Sequence, residues 1–193
     1  MRLRHLLFAL PFLLGLSSVA QAEITITFYS HHLGTYRSDI AFLHAFVALT
    51  GTTESDKKPV NANFGFTASD VSPAILWKSV PGEMASMPRD YVAASRRHFS
   101  MPISDAQYRA VLSVVARWQH YPQPSYNLDT HNCVTFVKDV ALALHLPASN
   151  DRKLVHSPQD FLEDLRLRTR EQIAAAQARG SKQPLRAPRV SSR

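Results

Sequence analysis

Cysteine is nearly absent from this sequence of 193 residues, and Cys133 is the only one. A single cysteine excludes an intramolecular disulfide. It also argues against a structural zinc centre, because zinc sites on cysteine and histidine need three or four converging ligands. His31, His32 and His44 lie near one another in the chain, but no two histidines show the i, i+4 spacing of a helical site. The sequence therefore does not favour a metal centre.

Long hydrophobic runs are absent after the first 22 residues. Within those residues, Arg2 and Arg4 precede an apolar run from Leu6 to Leu16, and the tripeptide at 20–22 has a small-x-small pattern. The run is shorter than the ~20 residues of a membrane-spanning helix, and the pattern is that of a cleavable secretory signal. No cysteine follows it, which excludes lipoprotein attachment. We predict a signal peptide over 1–22, a mature chain from Glu23, and a periplasmic or secreted location.

Net charge is also lacking from the body of the chain, although the formal charge of the whole is +7. The excess lies in the signal and in a tail over 169–193 that is rich in serine, proline, arginine and alanine. Nucleic-acid-binding domains carry a basic patch on the fold, so no specific nucleic acid is predicted. We expect the basic tail to be disordered, and it could contact an anionic polymer or a membrane surface. The sequence gives no indication of oligomeric state.

The segment between signal and tail, 23–168, has the length of one domain, and its first half reads as strands. Alternation of apolar and polar residues predicts strands over 24–29 and 60–66, and an apolar run predicts another over 41–50. A fourth strand is expected over 74–80. The segment 91–101 fits either a fifth strand or a short helix.

The second half reads as helices. Ser104 and Gln107 form a capping-box pattern ahead of residues at helical spacing. A second helix is predicted to begin at Cys133, and a third after Ser157, where a proline occupies the first helical position. Strands followed by helices indicate an α+β fold.

Cys133 stands where a polar loop becomes this apolar helix. A helix N-terminus favours negative charge and would therefore favour the thiolate, the nucleophilic form of cysteine. The alternative is a small buried hydrophobic residue. A cysteine nucleophile also needs a base and a polar group that orients the base. His44 interrupts an apolar strand and is the best base candidate, although a core histidine bonded to a backbone carbonyl would look the same. Asn61 and Asn63 share one face of the next strand, and we favour Asn63 as the orienting residue.

Three residues ahead of the cysteine could also contribute. His131 is interpreted as a local electrostatic helper or a loop residue. Asn132 is either the helix N-cap or an oxyanion donor. Tyr126 could present its hydroxyl to a tetrahedral intermediate or could be a packing aromatic. The backbone N–H of Cys133 is a further oxyanion donor.

Two motifs in this order resemble a known group. The group is the circularly permuted branch of the papain-like NlpC/P60 superfamily, which includes the lecithin:retinol acyltransferase-like proteins. The run from His44 to Gly51 resembles the histidine strand of that branch. The run from Asn132 to Val137 resembles its Asn-Cys-x-x-Phe motif. The resemblance covers most of 40–146. It implies an antiparallel sheet from the N-terminal half packed against helices, including the late cysteine-bearing helix, with Cys133 as nucleophile and His44 as general base. The loop over 52–59 makes the spacing to the third residue long.

These observations lead to a functional expectation. We predict an exported cysteine hydrolase that cleaves amide or ester bonds through a thioester and needs no cofactor. Peptidoglycan peptide is the leading substrate, because relatives of this fold outside the bacterial cytoplasm often cut peptide bonds there. A lipid-directed thioesterase or acyltransferase, a non-catalytic periplasmic binding or assembly protein, and an exported toxin are the alternatives.

Overall fold

A computed structural model describes residues 24–31, 44–69 and 72–180, with side chains described through residue 171. The described chain has an α+β fold built on a five-stranded antiparallel sheet of order β4-β3-β2-β1-β5. The strands are β1 (Ile24–His31), β2 (His44–Thr52), β3 (Pro59–Ala68), β4 (Gly82–Ala85) and β5 (Arg96–Ile103). The helices are α1 (Arg89–Ala94), α2 (Asp105–Gln119), α3 (Cys133–Ala143) and α4 (Pro158–Gly180), with 3₁₀ turns at Pro73–Leu76 and Arg152–His156. The predicted α+β class, with the cysteine-bearing helix on an N-terminal sheet, is confirmed.

The two faces of the sheet bury different kinds of residue, because successive side chains of a strand point to opposite faces. One face packs the apolar core between the sheet and the longer helices. Its members from the two central strands are Ile24, Ile26, Phe28, Ala45, Val47 and Leu49. The opposite face carries Tyr29, His31, His44 and Phe46, and the α1 residue Tyr91 packs against it. Two buried histidines therefore lie on the face away from the apolar core.

Local signals fix the helices as predicted. The capping box of α2 forms between Ser104 and Gln107. In α3 the apolar stripe faces the core and is fully buried, with members Val134, Val137, Ala141 and Leu144. Ahead of α4, the Ser157 hydroxyl accepts a hydrogen bond from the Asp160 N–H and donates one to the Asp160 carboxylate. Pro158 is the first helical residue.

The structure tests part of the predicted tail at the C-terminal end of the chain and does not describe the predicted signal peptide. The helix α4 continues past residue 168 to Gly180, and Thr169 is buried, so the first part of the predicted disordered tail is helical. The rest of the tail and the predicted signal peptide lie outside the described residues. Among the described helices, none combines the length and apolar character needed to cross a membrane.

The expected strand over 74–80 is wrong. Its beginning forms the 3₁₀ turn, in which Ile75 alone is buried, and only Val80 makes a bridge, to Tyr126. The fourth strand is β4 instead. The segment 91–101, expected to be either a strand or a short helix, contains the end of α1 and most of β5. Ser95 separates the two elements, and its hydroxyl donates a hydrogen bond to the Tyr91 carbonyl.

Candidate active site

The site lies where β2 and β3 separate. Their ladder runs from Thr52 opposite Pro59 to Val47 opposite Phe64 and ends there. The start of β2 therefore has no ladder partner on its β3 side. A backbone N–H on that edge needs another acceptor.

Cys133 supplies that acceptor. It is the first residue of α3 and is only 4% exposed. Its sulfur accepts a hydrogen bond from the backbone N–H of Ala45, and the N–H groups of Cys133 and Val134 also point to it. These three donors favour the thiolate, but burial is the larger effect and raises the pKa of Cys133 to about 11. The backbone donors at the helix start thus act in the predicted direction, but burial outweighs them, and the group is a thiol near pH 7.

His44 precedes the residue whose amide contacts the sulfur. Its buried ring packs directly on the backbone of Gly65, where a Cβ atom would overlap Nε2. Among the described residues, His44 Nε2 has no hydrogen-bond partner. Burial, and secondarily the charge of His31, lower the pKa of His44 to about 4, so the imidazole is neutral near pH 7. The sulfur therefore contacts the residue that follows His44 in β2. The His44 side chain lies on the other face of the sheet from Ala45, and no hydrogen bond joins its Nε2 to the sulfur.

Neither predicted asparagine contacts this imidazole. Asn61 is exposed and pairs with Thr50, six residues along β2 from His44, which is about 20 Å of strand. Asn63 lies two residues from Gly65, but its amide donates to the Met87 carbonyl at 3.0 Å and accepts from the Met87 N–H at 2.5 Å. Asn63 therefore holds the loop ahead of α1. It does not orient the base.

A polar neighbour that the sequence reasoning assigned only to a possible metal site is His31. It lies directly opposite His44 across the β1–β2 ladder, and both rings are buried on one face. Its Nδ1 is 3.1 Å from the Ser95 hydroxyl, and its ring stacks on Tyr91 with centroids 3.9 Å apart. A signal for this pairing exists in the sequence, because the end of one strand meets the start of the next in an antiparallel pair.

Two tyrosines lie within electrostatic range of the sulfur. Burial, followed by the charge of a Cys133 thiolate, raises the pKa of Tyr91 to about 12 and raises that of Tyr126 further. Tyr126 is fixed by paired backbone hydrogen bonds of 2.9 Å with Val80. Tyr126 is buried in the core and stacks on Phe66 with centroids 5.7 Å apart, which is the packing role predicted as one alternative. Tyr91, from the ambiguous segment 91–101, is a second tyrosine near the sulfur.

The two residues before the cysteine have structural roles. His131 stacks on Trp118 at 3.8 Å and its Nδ1 is 2.7 Å from the Ser125 carbonyl oxygen, so it is the loop residue that we proposed as one alternative. Asn132 is the N-cap. Its Oδ1 accepts from two helical N–H groups, and its Nδ2 donates to the carbonyls of Leu128 and Val155. Both amide hydrogens are therefore used, and Asn132 is not an oxyanion donor.

Metal ligands do not converge here. In the ranges that the structure describes, no three residues among histidine, cysteine, aspartate and glutamate form a group that could hold an ion. His31 and His44 supply two ligands, and zinc needs at least three from the protein.

Comparisons with known proteins add little to this geometry. No family model matches the chain. No curated protein matches it either. Among solved structures, the crystal structure of the type VI secretion system effector TseH is similar, with a TM-score of 0.45 and 17% identity over 77% of this chain and 90% of that chain. A likeness this low carries no inference about family or activity.

Proposed function

We propose that this protein is a cysteine hydrolase of the permuted papain-like type that cleaves amide or ester bonds through a thioester. The observation that carries the proposal is the hydrogen bond from the Ala45 amide to the buried Cys133 sulfur. This contact holds the sulfur, at the start of α3, against the residue that follows His44 in β2, and His44 Nε2 is unbonded within the described chain. Cysteine hydrolysis requires the base within hydrogen-bond reach of the sulfur, so the proposed reaction requires the His44 ring to turn toward Cys133 when substrate binds.

The proposed mechanism begins from neutral partners. The Cys133 sulfur attacks the substrate carbonyl carbon while its proton passes to His44 Nε2. The resulting oxyanion is stabilised by the backbone N–H of Cys133 and the Tyr126 hydroxyl. His44 returns the proton to the leaving amine or alcohol, which leaves a thioester on the sulfur. Water, deprotonated by His44, then cleaves the thioester and regenerates the thiol.

His31 replaces the asparagines as the proposed orienting residue. It lies opposite His44, is buried, and is held by Ser95 and Tyr91 on its other sides. Two imidazolium charges this close would repel, and His31 accordingly lowers the pKa of His44. The pair therefore favours a neutral His44, the form that can accept a proton.

The proposed substrate is peptidoglycan peptide, on the expectation that the chain is exported. An acyl lipid is the alternative for the same chemistry. The test incubates purified protein with peptidoglycan sacculi and with a short-chain thioester, and follows released peptides and acyl groups by mass spectrometry. We expect a peptide product and a covalent acyl adduct on Cys133. Both should be absent in Cys133→Ala. If the wild-type protein releases no product from either substrate, the proposal that it is a hydrolase is refuted.

Burial of the sulfur favours one second candidate, a binding or assembly protein that keeps the fold. A thiol with a pKa of about 11 and 4% exposure is not primed for attack at rest. This candidate predicts that Cys133→Ala behaves as the wild type in every assay. The mass-spectrometric experiment separates the two, because only the hydrolase forms an acyl adduct.

A further inference from the structure

The segment that joins β4 to β5 crosses the whole described sheet. These two strands form its opposite edges, with β3, β2 and β1 between them. Neighbouring strands lie about 4.8 Å apart, so residues 86–95 must cross about 19 Å. They cross on the face that carries His44, because Tyr91 stacks on His31 and packs against Phe46 on that face. We name residues 86–95 the strap.

Polar contacts hold the strap near both of its ends. Near the start, the Asn63 amide donates to the Met87 carbonyl at 3.0 Å and accepts from the Met87 N–H at 2.5 Å. At the end, the Ser95 hydroxyl donates to the Tyr91 carbonyl at 2.7 Å and lies 3.1 Å from His31 Nδ1. The sequence singled out Asn63 as a catalytic candidate, and its contacts make it an anchor of the strap instead.

The middle of the strap is the short helix α1. It has six residues, none of them is buried, and no side chain caps its start. Isolated helices shorter than about 12–15 residues are marginal in water, and the stability of helices in proteins comes mainly from packing of an apolar face. The core contributes no such packing to α1. Segments with few buried apolar contacts are the ones that open locally while the rest of the fold stays intact.

Unwinding of α1 supplies the length that opening of the strap requires. Six helical residues span about 9 Å, and the four other residues of the strap add about 13 Å when extended. The wound strap is therefore about 22 Å long and has little slack over the sheet. The six residues of α1 span about 20 Å when extended, so unwinding adds about 11 Å. The strap can then lift from the face that it covers.

The groups beneath the strap need such an opening. Cys133 and His44 are 4% and 9% exposed, so neither is accessible to a substrate at rest. The proposed reaction also requires the His44 ring to turn toward the sulfur. Tyr91 packs over the face on which that ring lies, and its pKa is raised by burial and by the charge of a Cys133 thiolate. The strap therefore lies close to both reacting groups.

We propose that the strap is a lid over the candidate active site, and that it opens by unwinding of α1 together with release of Met87 from Asn63. Opening gives a substrate access to Cys133 and frees the space in which the His44 ring turns. The inference deepens the proposed function, and the role of the lid in catalysis rests on that function.

The test measures access to the sulfur without any substrate. Labelling of Cys133 by iodoacetamide at pH 8 is followed by mass spectrometry in the full chain, in Asn63→Ala and in Asn61→Ala. We expect Asn63→Ala to label about tenfold faster than the wild type, because it loses both hydrogen bonds to Met87. Asn61 is exposed on the same strand and face and serves as the matched control, which should label at the wild-type rate.

A second pair of variants tests the unwinding of α1. Ala93 is exposed on α1, and Ala116 is exposed on α2. Glycine weakens the two helices by similar amounts, and we expect Ala93→Gly to speed labelling about fivefold and Ala116→Gly to leave it unchanged. If Ala116→Gly speeds labelling as much as Ala93→Gly, the sulfur is reached by unfolding of the whole domain, and the proposal is overturned. Equal labelling of Asn63→Ala and Asn61→Ala overturns it as well.

Labelling does not depend on hydrolysis, so the lid and the proposed function fail separately. Faster labelling in Asn63→Ala and Ala93→Gly, with no acyl adduct on the wild-type protein, would support the lid and remove the hydrolase. An acyl adduct on Cys133, with each variant labelling at the rate of its control, would support the hydrolase and overturn the lid.

Discussion

The reactivity of Cys133 toward iodoacetamide tests the electrostatics of the site directly. The structure gives its thiol a pKa of about 11, against about 8.5 for a free cysteine. At pH 8 the thiolate fraction would then be about 0.1%, compared with about 24% for a free thiol, a ratio of about 240. The more basic thiolate is the better nucleophile, and a Brønsted coefficient of about 0.45 recovers about 13-fold. We therefore expect alkylation at pH 8 to be about 20-fold slower than in the same protein unfolded in urea, and slower still through burial.

The assay follows mass labelling between pH 6 and pH 11 in the wild type and in His44→Ala. Because the His44 imidazole is neutral above pH about 4, removing it should leave the apparent pKa of the thiol nearly unchanged while hydrolysis is lost. A wild-type thiol that reacts as fast as the unfolded reference would refute the reasoning. So would an apparent pKa below 8.5 that rises in His44→Ala, because that result requires a resting thiolate–imidazolium pair.

Three further predictions concern the base and the helix caps. Gly65→Ala should displace the His44 ring, because the new Cβ would overlap Nε2, and should lower the rate of hydrolysis at least tenfold. In a His44→Ala background the same change should have no further effect on hydrolysis. A further loss of hydrolysis in that background would contradict the reasoning. The pKa of His44 in the folded protein lies near 4, below the 6.5 of an ordinary histidine. The unfolded state therefore binds a proton first, and the free energy of unfolding, constant above pH 6.5 as far as His44 is concerned, falls as the pH drops toward 4. Urea unfolding should show a loss of up to about 3 kcal/mol over that interval, and His44→Gln should remove this part of the pH dependence. Asn132→Ala should lower the free energy of unfolding by about 3 kcal/mol, because the buried Asn132 side chain loses four hydrogen bonds. The exposed cap variant Ser104→Ala should lose about 1 kcal/mol. Equal losses in urea titrations would show that the Asn132 side-chain bonds contribute little.

The sequence resolved elements whose signals are local. Strand alternation over 24–29 and 60–66 and the capping patterns at Ser104 and Ser157 all predicted elements that the structure contains. The start of a helix at Cys133 was visible for the same reason, since a polar cap followed by an apolar stripe depends on neighbours within a few residues. The prediction for residues 74–80 was wrong because their composition suits a strand, while local hydrogen bonds to Ser72 and Ala74 form a 3₁₀ turn and only Val80 pairs with a distant residue, Tyr126.

The sequence by itself determined that His44 lies on a strand and that Cys133, later in the chain, begins a helix. It could not determine the ionisation of either group, because the desolvation that sets both pKa values comes from elements far apart in the chain. Strand register was equally hidden. A shift of pairing moves every cross-strand neighbour. The register between β1 and β2 places His31 opposite His44, and the register between β2 and β3 places Asn63 opposite Ala48. The chain thus encodes the local setting of Cys133 and His44, and the tertiary structure decides their neighbours and their protonation.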